Sequence, residues 1–144
     1  MSYSKDVEKA IKVAAVAHAG AVDKSGAPYI LHPERVAGKL GTPEEKVVGW
    51  LHDVVEDTGV TLSTIAEMFG YETATAVDAI THRKGESWSD YLIRVKGNAI
   101  AKSVKLSDLT DNMNISRLKE IKEHDIERLE KYIEAYKFLT DMYK

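Results

Sequence analysis

The three prolines of this 144-residue chain, Pro28, Pro33 and Pro43, all fall in its first third. Proline inside a helix removes a backbone hydrogen bond and collides with the preceding turn. From Thr61 onward no proline stands in the way, and apolar residues recur at helical rather than strand spacing. The chain is therefore expected to form one all-α domain over residues 1–144, a compact bundle of about seven or eight helices.

Local signals place those helices. Val7, Ala10, Ile11, Ala14 and Ala15 make one apolar face that closes near Gly20. Residues 23–28 read as a loop, rich in turn formers and ending in proline. Pro33 can open a short helix through Lys39. Thr42-Pro43-Glu44-Glu45 has the form of a capping box and starts a helix expected to run to Asp57. Further helices are expected from Thr61 to Gly70, at 71–82, 88–96 and 99–113, and at 123–142, the last with a stripe of Ile126, Leu129, Ile133 and Tyr136.

Composition narrows the chemistry. There is no cysteine, which excludes disulfides, thiolate metal sites and cysteine nucleophiles. Any metal must be held by histidine and carboxylate, a donor set that suits manganese, iron, magnesium or zinc. The net charge of −3, from 20 basic and 23 acidic residues, supplies no basic excess for non-specific nucleic-acid binding. The first residues lack a signal-peptide pattern, and the apolar stretch from Ile11 to Ala17 is interrupted by Lys12 and too short to span a bilayer. A cytoplasmic protein without membrane or nucleic-acid partners is expected; the sequence leaves its oligomeric state open.

The segment Trp50-Leu-His-Asp-Val-Val-Glu-Asp-Thr58 concentrates ionisable groups. On a helix, residues three and four apart share a face, so His52, Asp53, Glu56 and Asp57 can converge while Val54 and Val55 turn to the core. Three carboxylates near a helix C-terminus oppose the helix dipole and one another, and a cation removes both penalties. A solvated acidic face is the competing reading. Since two ligands do not fill a metal site, His32, placed after a turn and before Pro33, is the third candidate. Asp108 is the fourth, with Asp111 as the alternative; Asp108 shares its helix face with Asn112.

This pattern of His32, His52-Asp53 and Asp108 resembles the H…HD…D signature of HD-domain phosphohydrolases. Ser25-Gly-Ala-Pro-Tyr-Ile-Leu-His-Pro33, Leu51-His-Asp-Val-Val-Glu-Asp-Thr58 and Lys105-Leu-Ser-Asp108 followed by Asn112-Met113 resemble segments of the RelA/SpoT-type alarmone hydrolase domain and its single-domain small relatives. The similarity covers roughly residues 10–119. It implies a manganese-dependent hydrolase that removes pyrophosphate from the 3′ position of guanosine tetra- or pentaphosphate, with Fe²⁺, Mg²⁺, Zn²⁺ or Ni²⁺ as other ions able to occupy the site. It implies that His32, His52, Asp53 and Asp108 bind the metal, that Glu56 and Asp57 position or activate water, and that Lys24, Ser25 and Asn112 contact substrate.

The chain departs from that family in two places. The family has a basic pair before Ser-Gly, its first member an arginine that stacks on guanine; here the pair is Asp23-Lys24. The family reads Asp-Arg-Leu-His-Asn around the fourth ligand; here the run is Asp108-Leu-Thr-Asp-Asn112. These departures bear on the substrate, and a different nucleotide, another small phosphate ester, or a non-catalytic sensor role remain competing expectations. His18, His82 and His124, with Trp50, Tyr132 and Tyr136, read as packing or surface residues.

Overall fold

The computed structural model describes residues 2–142, with side chains from Lys5 onward. Nine α-helices appear among the described residues: α1 (Ser2–Ala17), α2 (Leu31–Gly38), α3 (Pro43–Leu51), α4 (Val54–Asp57), α5 (Leu62–Phe69), α6 (Tyr71–Ile80), α7 (Trp88–Lys96), α8 (Ala99–Asn112) and α9 (Glu123–Leu139). A 3₁₀ turn at Ile115–Arg117 joins the last two. The only extended pairing among the described residues is an isolated bridge between Val22 and Pro28, so the all-α expectation holds.

The helix starts follow the local chemistry. Thr42 Oγ1 accepts from the Glu45 amide at 3.2 Å while Glu45 Oε1 accepts from the Thr42 amide at 3.3 Å, which satisfies two otherwise unpaired donors. Thr61, Ser87 and Asn98 cap α5, α7 and α8 through their side-chain oxygens.

Two helices organise the bundle. α3 packs on α1, α2, α6 and α8, while α8 also touches α2, α6, α7 and α9. Val48, Leu51, Val104 and Leu109 are wholly buried where these elements meet, each contributing about 1.5–3 kcal/mol on leaving water. His52 and Asp53 follow directly on the end of α3, and Asp108 lies within α8, so these residues are held by the most densely packed elements of the fold.

Two expectations are corrected. The helix from Pro43 does not run unbroken to Asp57: it stops at Leu51 and resumes at Val54. His52 Nδ1 takes the carbonyl of Gly49 at 2.6 Å, the backbone acceptor that an unbroken helix would offer to the Asp53 amide, and Asp53 sits at φ −104°, ψ −4°, the bridge region favoured at active-site residues. In α9, Ile126 and Ile133 are exposed, whereas Ala135 and Leu139 are buried and Tyr132 and Tyr136 half-buried. Leu129 and Tyr136 of the expected stripe are partly buried, but the packed face centres on Ala135 and Leu139 rather than on Ile126 and Ile133.

Candidate metal centre

His32 enters on the first turn of α2, delivered by the loop before it. That loop is closed by Asp23, whose Oδ1 accepts from the Ser25 amide at 2.9 Å, the Ser25 hydroxyl at 2.7 Å and the Ala27 amide at 3.0 Å. Gly26 takes the turn at φ +88°, a conformation that glycine adopts without strain. His52 and Asp53 occupy the break between α3 and α4, and Asp108 projects from α8.

These four side chains converge. Ligand-type atoms of His32, His52 and Asp53 all lie within 4.8 Å of one another. The two Nε2 atoms stand 3.3 Å apart, and Asp108 Oδ1 is 2.9 Å from that of His32 and 3.3 Å from that of His52. Asp53 Oδ2 lies 3.2 Å from His52 Nε2 and 3.7 Å from His32 Nε2. The His32, His52 and Asp108 side chains are buried, and that of Asp53 is 19% exposed.

The electrostatics call for positive charge at this point. Burial disfavours charged imidazoles, yet the carboxylates of Asp108 and Asp111 raise the pKa of His32, and Asp53 and Asp108 hold that of His52 well above its ordinary value. Burial would also raise Asp53, but the neighbouring histidines bring it down to about 2. Asp108 is held well below the carboxylate range against its own burial, first by Lys105 and then by the two histidines. A divalent cation held by the His32, His52 and Asp53 cluster would supply the same compensation from a single point. The donor set, two imidazole nitrogens with carboxylate oxygens, fits such an ion.

Side chains behind these four residues hold them in place. Tyr29 donates its hydroxyl to Asp53 Oδ2. Lys105 Nζ lies 2.9 Å from Asp108 Oδ2, on the oxygen turned away from the histidines. Asp111, weighed as an alternative fourth ligand, instead reaches His32 from the other edge of its ring, with Oδ2 2.7 Å from Nδ1. His18, buried after α1, lies 4.9 Å from the Tyr29 ring, and its Nε2 has no hydrogen-bond partner among the described residues. Pattern reading gave none of Tyr29, Lys105 and His18 a defined part at the centre; Lys105 stands three residues before Asp108 on the same helix, whereas the reach of Tyr29 to Asp53 is visible only in the fold.

The carboxylates of α4 behave differently from the expected shared face. Glu56 Oε1 accepts from the His82 amide at 2.9 Å, tying α4 to the end of α6. Asp57 has its pKa pushed up to about 6 by partial burial of the carboxyl and by the negative charges of Asp53 and Glu56. A carboxyl with that value exchanges a proton readily near neutral pH.

A cavity of about 420 Å³ opens beside His32. Lys24, Ser25, Asn112 and Tyr132 line it together with Arg35, Arg117 and Arg128. Lys24 and Ser25 thus share a cavity wall with Asn112, whose side-chain amide also donates to Asp108 Oδ1 at 3.2 Å. Glu56 and Asp57 do not line this cavity. No helix among the described residues is long and apolar enough to cross a membrane.

No protein-family model matches the chain. A GTP pyrophosphokinase of Myxococcus xanthus is 35% identical over 125 residues, which cover 74% of this chain and 16% of that protein. A guanosine-3′,5′-bis(diphosphate) 3′-pyrophosphohydrolase of Aquifex aeolicus is 30% identical over 123 residues, 77% of this chain and 18% of the relative. The chain therefore spans less than a fifth of the length of these curated relatives. A solved structure of a metazoan ortholog of SpoT that hydrolyzes ppGpp superposes with a TM-score of 0.77 at 19% identity, over 93% of this chain and 84% of that one. With the helical architecture and the His-His-Asp cluster, these similarities identify the chain as an HD-domain-like, metal-binding helical fold homologous to the RelA/SpoT hydrolase domains.

Proposed function

We propose that this protein is a metal-dependent phosphohydrolase of a nucleotide, with guanosine 3′,5′-bis(diphosphate) as the leading substrate and the 3′-pyrophosphate as the group removed. The observation that carries this reading is the convergence of His32, His52, Asp53 and Asp108 beside a cavity lined by Lys24 and three arginines together with Asp23, Asp111 and Asp125. A small phosphorylated molecule fits that cavity, and the setting proposed for it is the cytoplasm.

In this reading His32, His52, Asp53 and Asp108 are the ligands of one divalent ion, with Mn²⁺ the leading candidate. When bound there, such an ion supplies Lewis acidity that acidifies water and polarises a phosphoryl oxygen. Lys24, Ser25 and Asn112 hold the substrate against the cavity wall. Glu56, fixed by the His82 amide, orients the attacking water and takes its proton. Water oxygen bonds to phosphorus, the bond from phosphorus to the sugar oxygen breaks, and the leaving oxygen takes up a proton. Asp57, with its raised pKa, is the group suited to deliver that proton.

A second reading keeps the mechanism and changes the nucleotide. Residue 23 offers no guanidinium to stack on guanine, and its carboxylate is engaged in closing the loop. Another nucleotide or a small phosphate ester is favoured by that observation.

Glu56→Gln tests the catalytic assignment, because it keeps the hydrogen bond to His82 and loses the base. Turnover should fall by roughly 10²–10⁴-fold while Mn²⁺ binding persists. Undiminished turnover would remove Glu56 from the chemistry.

A further inference from the structure

Asp111 occupies the position where the related family carries a histidine. Its side chain is 2% exposed, and it stands one helical turn after Asp108 on α8. A buried carboxylate needs compensation by charge or hydrogen bonds, and Asp111 has both. Arg35 Nε donates to Oδ1 at 2.7 Å and Arg35 Nη2 to Oδ2 at 3.1 Å, a two-pronged guanidinium–carboxylate contact. Arg117 donates to the Asp111 backbone carbonyl at 3.0 Å and its Nη2 lies 3.5 Å from Oδ2. The remaining partner of Oδ2 is His32 Nδ1, at 2.7 Å.

This places Asp111 across the imidazole from the centre. Nδ1 of His32 faces Asp111, and Nε2 faces His52 at 3.3 Å and Asp108 at 2.9 Å. An imidazole whose Nδ1–H is held by a carboxylate presents Nε2 as the bare donor atom, with its orientation and tautomer fixed. The charge arithmetic matters equally. A further uncompensated carboxylate here would make the centre repel an anionic substrate, whereas the fork of Arg35 cancels the charge of Asp111 and leaves only its directional effect.

We propose that Asp111 is a positioning residue for the metal: it holds His32 through Nδ1 so that Nε2 meets the cation, with Arg35 as its fixed countercharge. The Asp111–Arg35 pair joins α8 to α2, the helix that carries His32. This inference rests on the assignment of His32 as a metal ligand, and the test separates the two.

The experiment is a Mn²⁺ titration followed by electron paramagnetic resonance of the free ion, on the wild type, Asp111→Asn and His32→Ala, with thermal melts of each in chelator. His32→Ala should lose tight binding. Asp111→Asn, which keeps the shape and a hydrogen-bond acceptor, should bind Mn²⁺ about 10–100-fold more weakly. A shifted melt with unchanged Mn²⁺ affinity in Asp111→Asn would make Asp111 merely structural and overturn the proposal. Unchanged affinity in His32→Ala would overturn the ligand assignment beneath it.

A measurement on the unaltered protein guards against a variant that fails to fold. With Zn²⁺ as a diamagnetic probe and ¹⁵N-labelled histidine, the His32 ring should show a protonated Nδ1 and a metal-bound Nε2. Metal on Nδ1 would overturn the proposal.

Discussion

His52 Nδ1 donates to the carbonyl oxygen of Gly49 across 2.6 Å, and that glycine also packs tightly against Ala37 of α2. A Cβ at position 49 would lie 3.0 Å from Leu40 Cδ1 and 3.1 Å from the Ala37 Cα. The leucine tip can move, but the backbone of α2 cannot without moving His32, which α2 carries. The side chain of His52 and the approach of α3 to the helix that carries His32 therefore depend on the same residue.

Gly49→Ala should accordingly destabilise the protein although alanine is the better helix former. Overpacking costs about 1–3 kcal/mol, and the gain in helix propensity, about 0.8–1 kcal/mol, offsets only part of it. Urea unfolding in chelator measures the net loss. Mn²⁺ affinity should fall alongside it, because α2 and α3 are pushed apart beneath His32 and His52.

Lys105 makes a different prediction. Its side chain is 12% exposed and lies 2.9 Å from Asp108 Oδ2, with the rings of Trp88 and Tyr91 5.4 and 5.2 Å away. Lys105→Met keeps the apolar packing and strands a buried carboxylate. Removing one partner of such a pair costs about 3–5 kcal/mol, so chemical unfolding in chelator should show a loss of that order. A loss within the noise of a surface substitution would mean that Asp108 draws its compensation from the histidines alone.

The pH dependence follows from the shifted groups. His32 and His52 have pKa values raised above 6.5, so in chelator the stability they contribute is complete below 6.5 and is lost as pH rises through their folded-state values. Asp57 is raised from 3.8 to about 6 and acts in the same direction, costing stability as pH rises through that interval. Asp53, lowered to about 2, contributes stability that is present above 3.8 and lost only as pH falls toward 2. Melting temperature in chelator should therefore decline from mildly acidic pH upward. Mn²⁺ should abolish the decline above 6.5, since binding displaces the histidine protons, and its affinity should keep rising past that pH. Calorimetric titration in two buffers of different ionisation enthalpy would count the protons released.

Asp23 governs the loop that presents Lys24 and Ser25. Asp23→Ala removes three acceptor contacts, each worth about 0.5–1.5 kcal/mol. The effect should appear as a raised KM with a smaller change in kcat, and Asp23→Asn should restore part of it. Equal loss in both parameters would place Asp23 in the reaction rather than in loop order.

Much of this was legible in the sequence because it depends on local chemistry. Proline placement, caps such as Thr42 with Glu45, and apolar spacing located the helices, while the density of His52, Asp53, Glu56 and Asp57 marked the functional segment. What could not be read was the break at His52–Asp53, since it arises from a side chain taking a backbone acceptor and sends Glu56 to the His82 amide. The packed face of α9 was legible only in part, since Leu129 and Tyr136 are partly buried but Ile126 and Ile133 are exposed. The sequence favours Asp108 over Asp111 through the face it shares with Asn112, but not the place that Asp111 takes: only the position of α2 decides that one faces Nε2 of His32 and the other Nδ1.

The most direct measurement is the release of phosphate and pyrophosphate from a panel of nucleotides that includes guanosine tetraphosphate, with Mn²⁺ and with chelator, for the wild type and Asp53→Ala. Pyrophosphate release from guanosine tetraphosphate that requires the metal and vanishes in Asp53→Ala is the predicted result. Turnover confined to other nucleotides would retain the metal-dependent mechanism and replace the substrate. Hydrolysis that continues undiminished in chelator, or in Asp53→Ala, would contradict the account at its centre.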